Sequence, residues 1–141
     1  YGPGQDFTNM QQGMLSIFMT QALTSDAIRV TGSLNRYRDF VYIDDVLNAL
    51  LINDNRMGSG VINVGSGTPT SVNELCNIII NKTKSINGQV PIIEIASHRG
   101  DVFGNFSNSE KLLSLGWQPT TGLDKGIELM LPSAIEALLS K

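Results

Sequence analysis

The stretch Arg38-Asp-Phe-Val-Tyr-Ile-Asp-Asp45 decides how the rest of the sequence is interpreted. Its middle part, Phe40 to Ile43, is a run of β-branched and aromatic residues, which predicts a strand. Asp44 and Asp45 follow directly. Carboxylates at this position favour a helix, because they accept hydrogen bonds from free backbone N–H groups and interact well with the helix dipole. We therefore expect a strand at 40–43 that leads into a helix ending near Ile52.

Helix and strand signals alternate on both sides of this stretch. Residues 1–9 are rich in turn formers and predict a loop, residues 10–24 show helical spacing of apolar residues, and Ile28 to Thr31 predicts a strand. Further along, the same signals predict a buried strand at 61–64, a helix beginning at Ser71, a strand at 91–95, a helix at about 109–115, and a final helix capped by Thr121 and Asp124 with a kink or second start at Pro132. This alternation indicates an α/β protein.

The helix that begins at Ser71 has the clearest start in the sequence. Ser71 and Glu74 form the capping-box pattern, in which each side chain bonds to the backbone N–H of the other residue. Behind this cap, Val72, Leu75, Cys76 and Ile79 share one apolar face. We therefore expect Cys76 to be a core residue and not a nucleophile.

Composition excludes several classes of function. The chain has 141 residues with 13 acidic and 10 scattered basic side chains, a net charge of −3, so a nucleic-acid partner is not expected. The single cysteine excludes an intramolecular disulfide and favours a reducing compartment. Neither a signal peptide nor an apolar run of bilayer length is present, so we expect a cytoplasmic location and no membrane partner. With one histidine, His98, a metal site is not expected.

Two groups of residues are candidates for binding an anion. Arg36 and Arg38 precede the predicted strand at 40–43, and a planar guanidinium binds phosphate oxygens bidentately. The alternative is that these arginines form surface ion pairs with Asp39 or Asp44, and the residues alone favour this alternative over an anion site. The second group is His98-Arg-Gly-Asp101, in a polar loop where an aspartate can hold an arginine against an anion.

The sequence Gly65-Ser-Gly-Thr-Pro-Thr-Ser71 resembles a phosphate-binding loop, since glycines before a helix N-terminus bind anions. However, Thr70 stands where the dinucleotide pattern requires glycine, and Pro69 lacks a backbone donor. The capping box already explains this segment. We therefore do not expect dinucleotide binding here.

Taken in order, these segments resemble the C-terminal half of the NAD-dependent epimerase/dehydratase family, the extended short-chain dehydrogenases. The matching stretches are Tyr1-Gly-Pro3, Arg38 to Asp45, Asn63-Val-Gly-Ser-Gly67, Ser71-Val-Asn-Glu-Leu75, His98-Arg-Gly-Asp101, Ser109-Glu-Lys, Leu115-Gly-Trp-Gln-Pro119 and Gly126. Within the family, the chain is most similar to UDP-sugar 4-epimerases of bacterial surface-polysaccharide pathways. Sugar-nucleotide dehydratases and decarboxylases are close behind.

The resemblance implies the fold of a small substrate-binding lobe, with helices, short strands and little of the Rossmann domain. Residues 1–9 would contain the end of the cofactor-domain segment and a sugar-side loop. The family places this loop at Gln5 to Gln12. Residues 10–141 would be the substrate-binding domain. A nucleotide sugar, with UDP favoured, is the implied ligand, and the implied assembly is a homodimer.

The resemblance also implies roles for particular residues. Arg38 and Arg99 would reach the diphosphate of the nucleotide sugar, with Asp101 orienting them. Arg29 to Thr31 would border the nucleotide base. At the other end of the chain, Tyr1 and Pro3 would cross under the nicotinamide of NAD, which the family binds mainly through its N-terminal part.

The family's catalytic tyrosine stands four residues before a lysine, and this chain lacks that pattern. The residues four positions after Tyr1, Tyr37 and Tyr42 are Gln5, Val41 and Val46. We therefore expect no catalytic residue in this segment and no activity from it alone.

The chain begins at Tyr1 in mid-turn, so we expect a fragment of a longer enzyme with exposed apolar surface and reduced stability when isolated. The alternatives are a 4,6-dehydratase or decarboxylase of the same family, or a non-catalytic binding or scaffold module.

Overall fold

The structure is a computed structural model that describes residues 1–11, 13–52, 59–96 and 102–140. The elements in this part of the chain are α1 (Met14–Thr24), β1 (Ile28–Thr31), β2 (Tyr37–Asp39), α2 (Ile43–Leu50), β3 (Pro69–Ser71), α3 (Val72–Asn87), β4 (Ile92–Ile95), α4 (Glu110–Ser114) and α5 (Leu123–Leu139). The fold is α/β, as the sequence predicts.

The main core lies where α1, α3 and α5 pack on one another and on β1. The apolar face predicted for α3 is buried there, and the hydroxyl of Ser71 caps this helix by accepting from the N–H of Glu74 (3.1 Å). Cys76 is fully buried in this core, and burial raises the pKa of its thiol to about 12. The prediction that Cys76 is a core residue is confirmed.

The strands form two small sheets. β1 and β4 pair in parallel, with Ile28 opposite Ile92 and Thr31 opposite Ile95. β2 and β3 pair antiparallel, with Arg38 opposite Thr70. The carboxyl ends of β1 and β4 lie together, so Thr31 lies next to the point where the chain enters residues 97–101.

The predicted strand at Phe40 to Ile43 is wrong, because the strand lies earlier, at Tyr37–Asp39. Tyr42 is extended (φ −73°, ψ 146°) and is the N-cap residue of α2, so Ile43 already belongs to the helix. The Tyr42 side chain is buried, but in a connection and not in a strand. The apolar run therefore predicts the burial of Tyr42 correctly, but its prediction of a strand is wrong.

The predicted buried strand at 61–64 is also wrong, since these residues have no regular structure and Val61 is 88% exposed. Ile62 and Val64 instead pack beside a second small core formed by Ala49, Leu112 and Trp117. The segment is positioned by side chains of other elements and not by a neighbouring strand.

Several predicted helix ends differ from the structure. Helix α2 ends at Leu50, two residues before the predicted end, and no side chain caps its start. Helix α5 begins after Gly122 with no side-chain cap, so the predicted caps at Thr121 and Asp124 are wrong. It runs through Pro132 to Leu139 without a second start. Within the described ranges, none of the helices is long and apolar enough to cross a membrane.

One face of α2 is apolar and exposed. Leu50 is 72% exposed and Leu51, directly after the helix, is 79% exposed, while Ile43 and Leu47 are less so. Exposed apolar patches of this kind favour association with other protein surface.

We predict that the isolated 141-residue chain self-associates, and that Leu50→Glu combined with Leu51→Glu reduces this association. The reason is that two charges in the patch add a desolvation cost to any contact that buries them. Sedimentation velocity measures the change, and Leu129→Glu, at an exposed leucine of α5, is the matched control. A monomeric wild-type chain with a sharp two-state melt would contradict this prediction.

Candidate functional site

The strand β2 holds residues 102–107, which we call the return segment, along its length. The N–H of Tyr37 donates to the carbonyl of Phe103 (3.2 Å), and the N–H of Asn105 donates to the carbonyl of Tyr37 (3.4 Å). The Tyr37 ring lies over Gly104 and is flanked by Phe103 and Phe106, with ring centroids 6.0 and 6.5 Å away. A side chain at residue 104 would displace this ring.

Arg38 binds the beginning of the return segment through its guanidinium. Nη2 donates to the carbonyl of Val102 (2.9 Å), and Nη1 donates to the carbonyls of Phe103 (3.3 Å) and Tyr37 (2.8 Å). The alternative that Arg38 forms a surface ion pair with Asp39 or Asp44 is therefore wrong. Of the five N–H donors of Arg38, Nε–H and one Nη2–H have no acceptor among the described residues.

Asp39 binds the other end of the return segment and the glycine-rich turn at the same time. Its Oδ1 accepts from the N–H (2.9 Å) and hydroxyl (2.5 Å) of Ser66. Its Oδ2 accepts from the N–H groups of Gly67 (2.9 Å) and Ser107 (3.0 Å). Burial alone raises the pKa of this carboxyl, but the hydrogen bonds outweigh burial and lower the pKa below its ordinary value.

Two backbone N–H donors of the glycine-rich turn are therefore already bound by the protein's own Asp39 carboxylate. The backbone donors of Ser66 and Gly67, which a phosphate would need, point at the Asp39 carboxylate. Gly67 has a positive φ of 71°, which suits glycine. A Cβ at Gly65 would lie 2.3 Å from the Ser107 Cβ and 2.7 Å from Asp39 Oδ2. This geometry supports the interpretation that the turn does not bind a dinucleotide.

The structure brings Arg38 and Thr31 to the two ends of residues 97–101. Thr31 pairs with Ile95 before these residues, and Arg38 contacts Val102 directly after them. His98, Arg99, Gly100 and Asp101 themselves lie outside the described residues. Arg36 is buried and donates to the carbonyls of Thr31 and Ser33, so it supports the end of β1.

Arg29 lies two residues before Thr31 in β1. Its guanidinium is exposed and forms an ion pair with Asp26 (3.0 Å), while its backbone N–H donates to the side chain of Gln21 (2.7 Å). The described contacts of Arg29 are thus local, and its predicted role at the nucleotide base stays a prediction.

Tyr1 and Pro3 line a separate cleft of about 340 Å³ together with Gly2, Gly4, Gln5 and Ile43. The chain at Tyr1 runs beside the start of α2, where the N–H of Ile43 donates to the carbonyl of Tyr1 (2.9 Å). The Tyr1 ring packs edge-on against Phe40 and Tyr42. Burial, with a smaller effect of the nearby Asp45, raises the pKa of its phenol.

Sequence reasoning missed the roles of Asp39 and Asp45. Asp45 is 1% exposed, and its carboxylate accepts from the N–H (2.9 Å) and hydroxyl (2.7 Å) of Thr120 and from the N–H of Thr121 (3.0 Å). Its backbone carbonyl also accepts from Trp117 Nε1 (2.9 Å). An acid inside an apolar stretch is the signal that could have indicated these bonds, because buried carboxylates require donors.

The described residues contain no cluster of three or more histidine, cysteine, aspartate or glutamate side chains suited to a metal ion. The described arginines and the Asp39 carboxylate make this region polar, and the cleft beside Asp39 has a volume of about 330 Å³. It is lined by parts of the 63–65 and 105–108 segments.

Comparisons with known proteins show the family of the chain and solved structures with a similar fold. The model of the NAD dependent epimerase/dehydratase family matches residues 1–65. The chain is 35% identical over 128 residues to a putative UDP-glucose 4-epimerase of Methanocaldococcus jannaschii. This alignment covers 91% of this chain and 40% of that protein. It is 34% identical over 130 residues to a dTDP-L-rhamnose 4-epimerase of Burkholderia thailandensis, in an alignment that covers 90% of this chain and 35% of that protein.

A solved structure shows the same fold. The UDP-glucose 4-epimerase of Thermotoga maritima with UDP-glucose has a TM-score of 0.81 and 30% identity, over 98% of this chain and 44% of that one. The fold is thus that of one part of a larger α/β protein. The chain belongs to the NAD-dependent epimerase/dehydratase family. It spans about 40% of the length of the curated relatives that it matches.

We predict that Gly65→Ala lowers the free energy of unfolding by about 1–3 kcal/mol, because the added methyl forces Asp39 and Ser107 apart. Urea unfolding followed by circular dichroism measures the loss. Gly122→Ala is the matched control, since Gly122 has φ −65° and nothing within 4 Å of an added Cβ. We expect this control to change stability by less than about 0.5 kcal/mol. Equal losses in the two variants would contradict the prediction.

Proposed function

We propose that this chain is the nucleotide-sugar-binding part of an NAD-dependent 4-epimerase, with a UDP-sugar of surface-polysaccharide metabolism as substrate. The observation that carries the proposal is the position of Arg38, whose guanidinium bonds to Val102, the residue after Asp101. Two of its N–H donors have no partner among the described residues. The similarity to 4-epimerases over nine-tenths of the chain supports the reaction class.

The diphosphate would be bound by Arg38 and Arg99, with Asp101 orienting the guanidinium groups. A diphosphate carries about two negative charges, and charge-assisted hydrogen bonds to it are roughly twice as strong as neutral ones. The chain has a net charge of −3, so its overall field repels such a ligand and local arginines are needed to hold it. Arg38 meets this requirement, because its described bonds are to neutral carbonyl groups that leave its charge unpaired.

The nucleotide base would lie along Arg29 to Thr31. Thr31 pairs with Ile95 at the carboxyl end of β1, just before the chain enters residues 97–101, and this position supports the proposed site for the base. The backbone of Arg36 and Ser33 continues from there towards Arg38, and the Arg36 side chain holds this turn together.

NAD would contact this chain at Tyr1 and Pro3. The side chains that line their cleft are uncharged, and two glycines and Pro3 allow close approach, which favours a neutral part of a cofactor over its diphosphate. When bound, NAD supplies a hydride acceptor for oxidation of the sugar at C4. In our proposal the rest of NAD and the catalytic residues belong to sequence that this chain does not contain, and this segment alone is inactive.

The complete enzyme would be a homodimer, and residues 1–9 would form the end of the cofactor domain with the sugar-side loop. The exposed apolar face of α2 supports a further domain beside this chain, because a lone domain rarely leaves such leucines open. The family also includes dehydratases, and a 4,6-dehydratase or decarboxylase would use the same arginines. Identification of the product from a UDP-sugar separates these reactions.

We predict that Arg38→Ala weakens UDP binding by about tenfold or more, since it removes charge-assisted bonds worth about 1.5–3 kcal/mol. Isothermal titration calorimetry with UDP on the full-length protein measures the change, and Arg99→Ala tests the second arginine. The control is Lys82→Ala, which removes a cation of α3 that pairs with Asp124 (2.7 Å) on α5.

Three calorimetric results would contradict the proposed site. The first is no heat of UDP binding to the full-length wild type. The second is unchanged affinity in Arg38→Ala, and the third is an equal loss in Lys82→Ala.

A further inference from the structure

Asp39 is the neighbour of Arg38 in β2, and the two side chains bind the return segment at different points. Arg38 donates to the carbonyls of Val102 and Phe103, and Asp39 accepts from the N–H of Ser107. Between these points, Tyr37 bonds to Phe103 and Asn105. The return segment is therefore fixed at both ends and cannot pivot about one of them.

We propose that Asp39 is a positioning residue for the diphosphate site. It acts by holding the return segment so that Val102 keeps its position against the Arg38 guanidinium. This inference rests on the proposed function, because Arg38 and Arg99 bind the diphosphate only in that proposal.

The donors on Asp39 show why a carboxylate is needed at this position. Both oxygens are used, and each accepts from two groups, of which three are backbone N–H groups and one is the Ser66 hydroxyl. A neutral amide has only one acceptor oxygen, so an asparagine would place an NH₂ group against two N–H donors. The donors also lie far apart in sequence, in the turn at 66–67 and at Ser107, so one side chain joins two segments to β2.

Because its partners are neutral, Asp39 does not neutralise Arg38. Within the described residues, the Arg38 guanidinium donates to carbonyl groups and Asp39 accepts from amides and a hydroxyl. The Arg38 charge thus remains available to an anion while its position is fixed. This separation of charge from positioning distinguishes Asp39 from an ordinary ion-pair partner of an arginine.

Asp45 offers a matched comparison within the same stretch of sequence. Its carboxylate is more deeply buried and also accepts from backbone N–H groups and a hydroxyl, but these belong to Thr120 and Thr121. Among the described residues, the Asp45 carboxylate bonds to Thr120 and Thr121 and not to the return segment or to Arg38. The change Asp45→Asn therefore tests loss of a structural carboxylate without loss of the proposed positioning.

The experiment measures binding of UDP and of uridine to the full-length protein by calorimetry, with the variants Asp39→Asn, Asp45→Asn and Ser66→Ala. We expect Asp39→Asn to weaken UDP binding by about tenfold and uridine binding by less than about twofold, because uridine has no diphosphate. Asp45→Asn should change both by less than about twofold. Ser66→Ala removes only the hydroxyl bond to Asp39, should fold, and should weaken UDP binding by about two- to threefold.

A second measurement keeps the positioning role separate from the proposed function. Hydrogen exchange of the Asn105 and Ser107 amides should be faster in Asp39→Asn than in the wild type and unchanged in Asp45→Asn. Equal weakening of UDP binding in the two aspartate variants, equal weakening of UDP and uridine, or unchanged exchange at Ser107 would overturn the positioning role. Absence of UDP binding to the wild type would instead contradict the proposed function, while the exchange result would still decide whether Asp39 holds the return segment.

Discussion

The carboxylate of Asp39 accepts four hydrogen bonds, and the arrangement of β2, the glycine-rich turn and the return segment depends on it. A half-buried charge without an ion-pair partner loses part of its hydration, and Asp39 is tolerated because three backbone N–H groups and a hydroxyl replace the lost water. If either the glycine-rich turn or the return segment moved away, the Asp39 carboxylate would lose hydrogen-bond donors. The carboxylate therefore selects one arrangement of three segments that are short and otherwise weakly paired.

Asp45 does the same for the other side of α2. Its carboxylate and carbonyl together hold Trp117, Thr120 and Thr121, so the connection between α4 and α5 is fixed to the start of α2. Two strands of four residues and two of three cannot supply this precision by backbone pairing alone. The chain instead uses two acids of one eight-residue stretch to join connections to its core, and the candidate diphosphate site lies on one of these connections.

The sequence predicted the elements whose signals are local. The apolar face behind Ser71 gave α3 and the buried Cys76, and the short β-branched runs gave β1 and β4 nearly to the residue. The signals failed where long-range hydrogen bonds decide the structure. Phe40 to Ile43 has a strand composition, but residues 40–42 form a connection and Ile43 begins α2, because Asp39 and Asp45 on either side are bound to distant backbone.

The candidate site was predictable in part for the same reason. Arg38 could be proposed from its position and from the family resemblance, whereas its bonds to Val102 and Phe103, 64 and 65 residues away, could not. For the glycine-rich turn, the local pattern suggested a bound ligand that the structure replaces with a side chain of the protein. Its glycines suggested an anion, and the anion is the protein's own Asp39, which no local pattern could identify.

The most direct test of this account is a carbon-detected NMR titration of the Asp39 carboxyl in the full-length protein. We expect a pKa below the ordinary value of 3.8, with the amide signals of Ser66, Gly67 and Ser107 moving at the same midpoint. A pKa at or above 3.8, or amide signals that do not follow the titration, would contradict the claim that this carboxylate holds the three segments together.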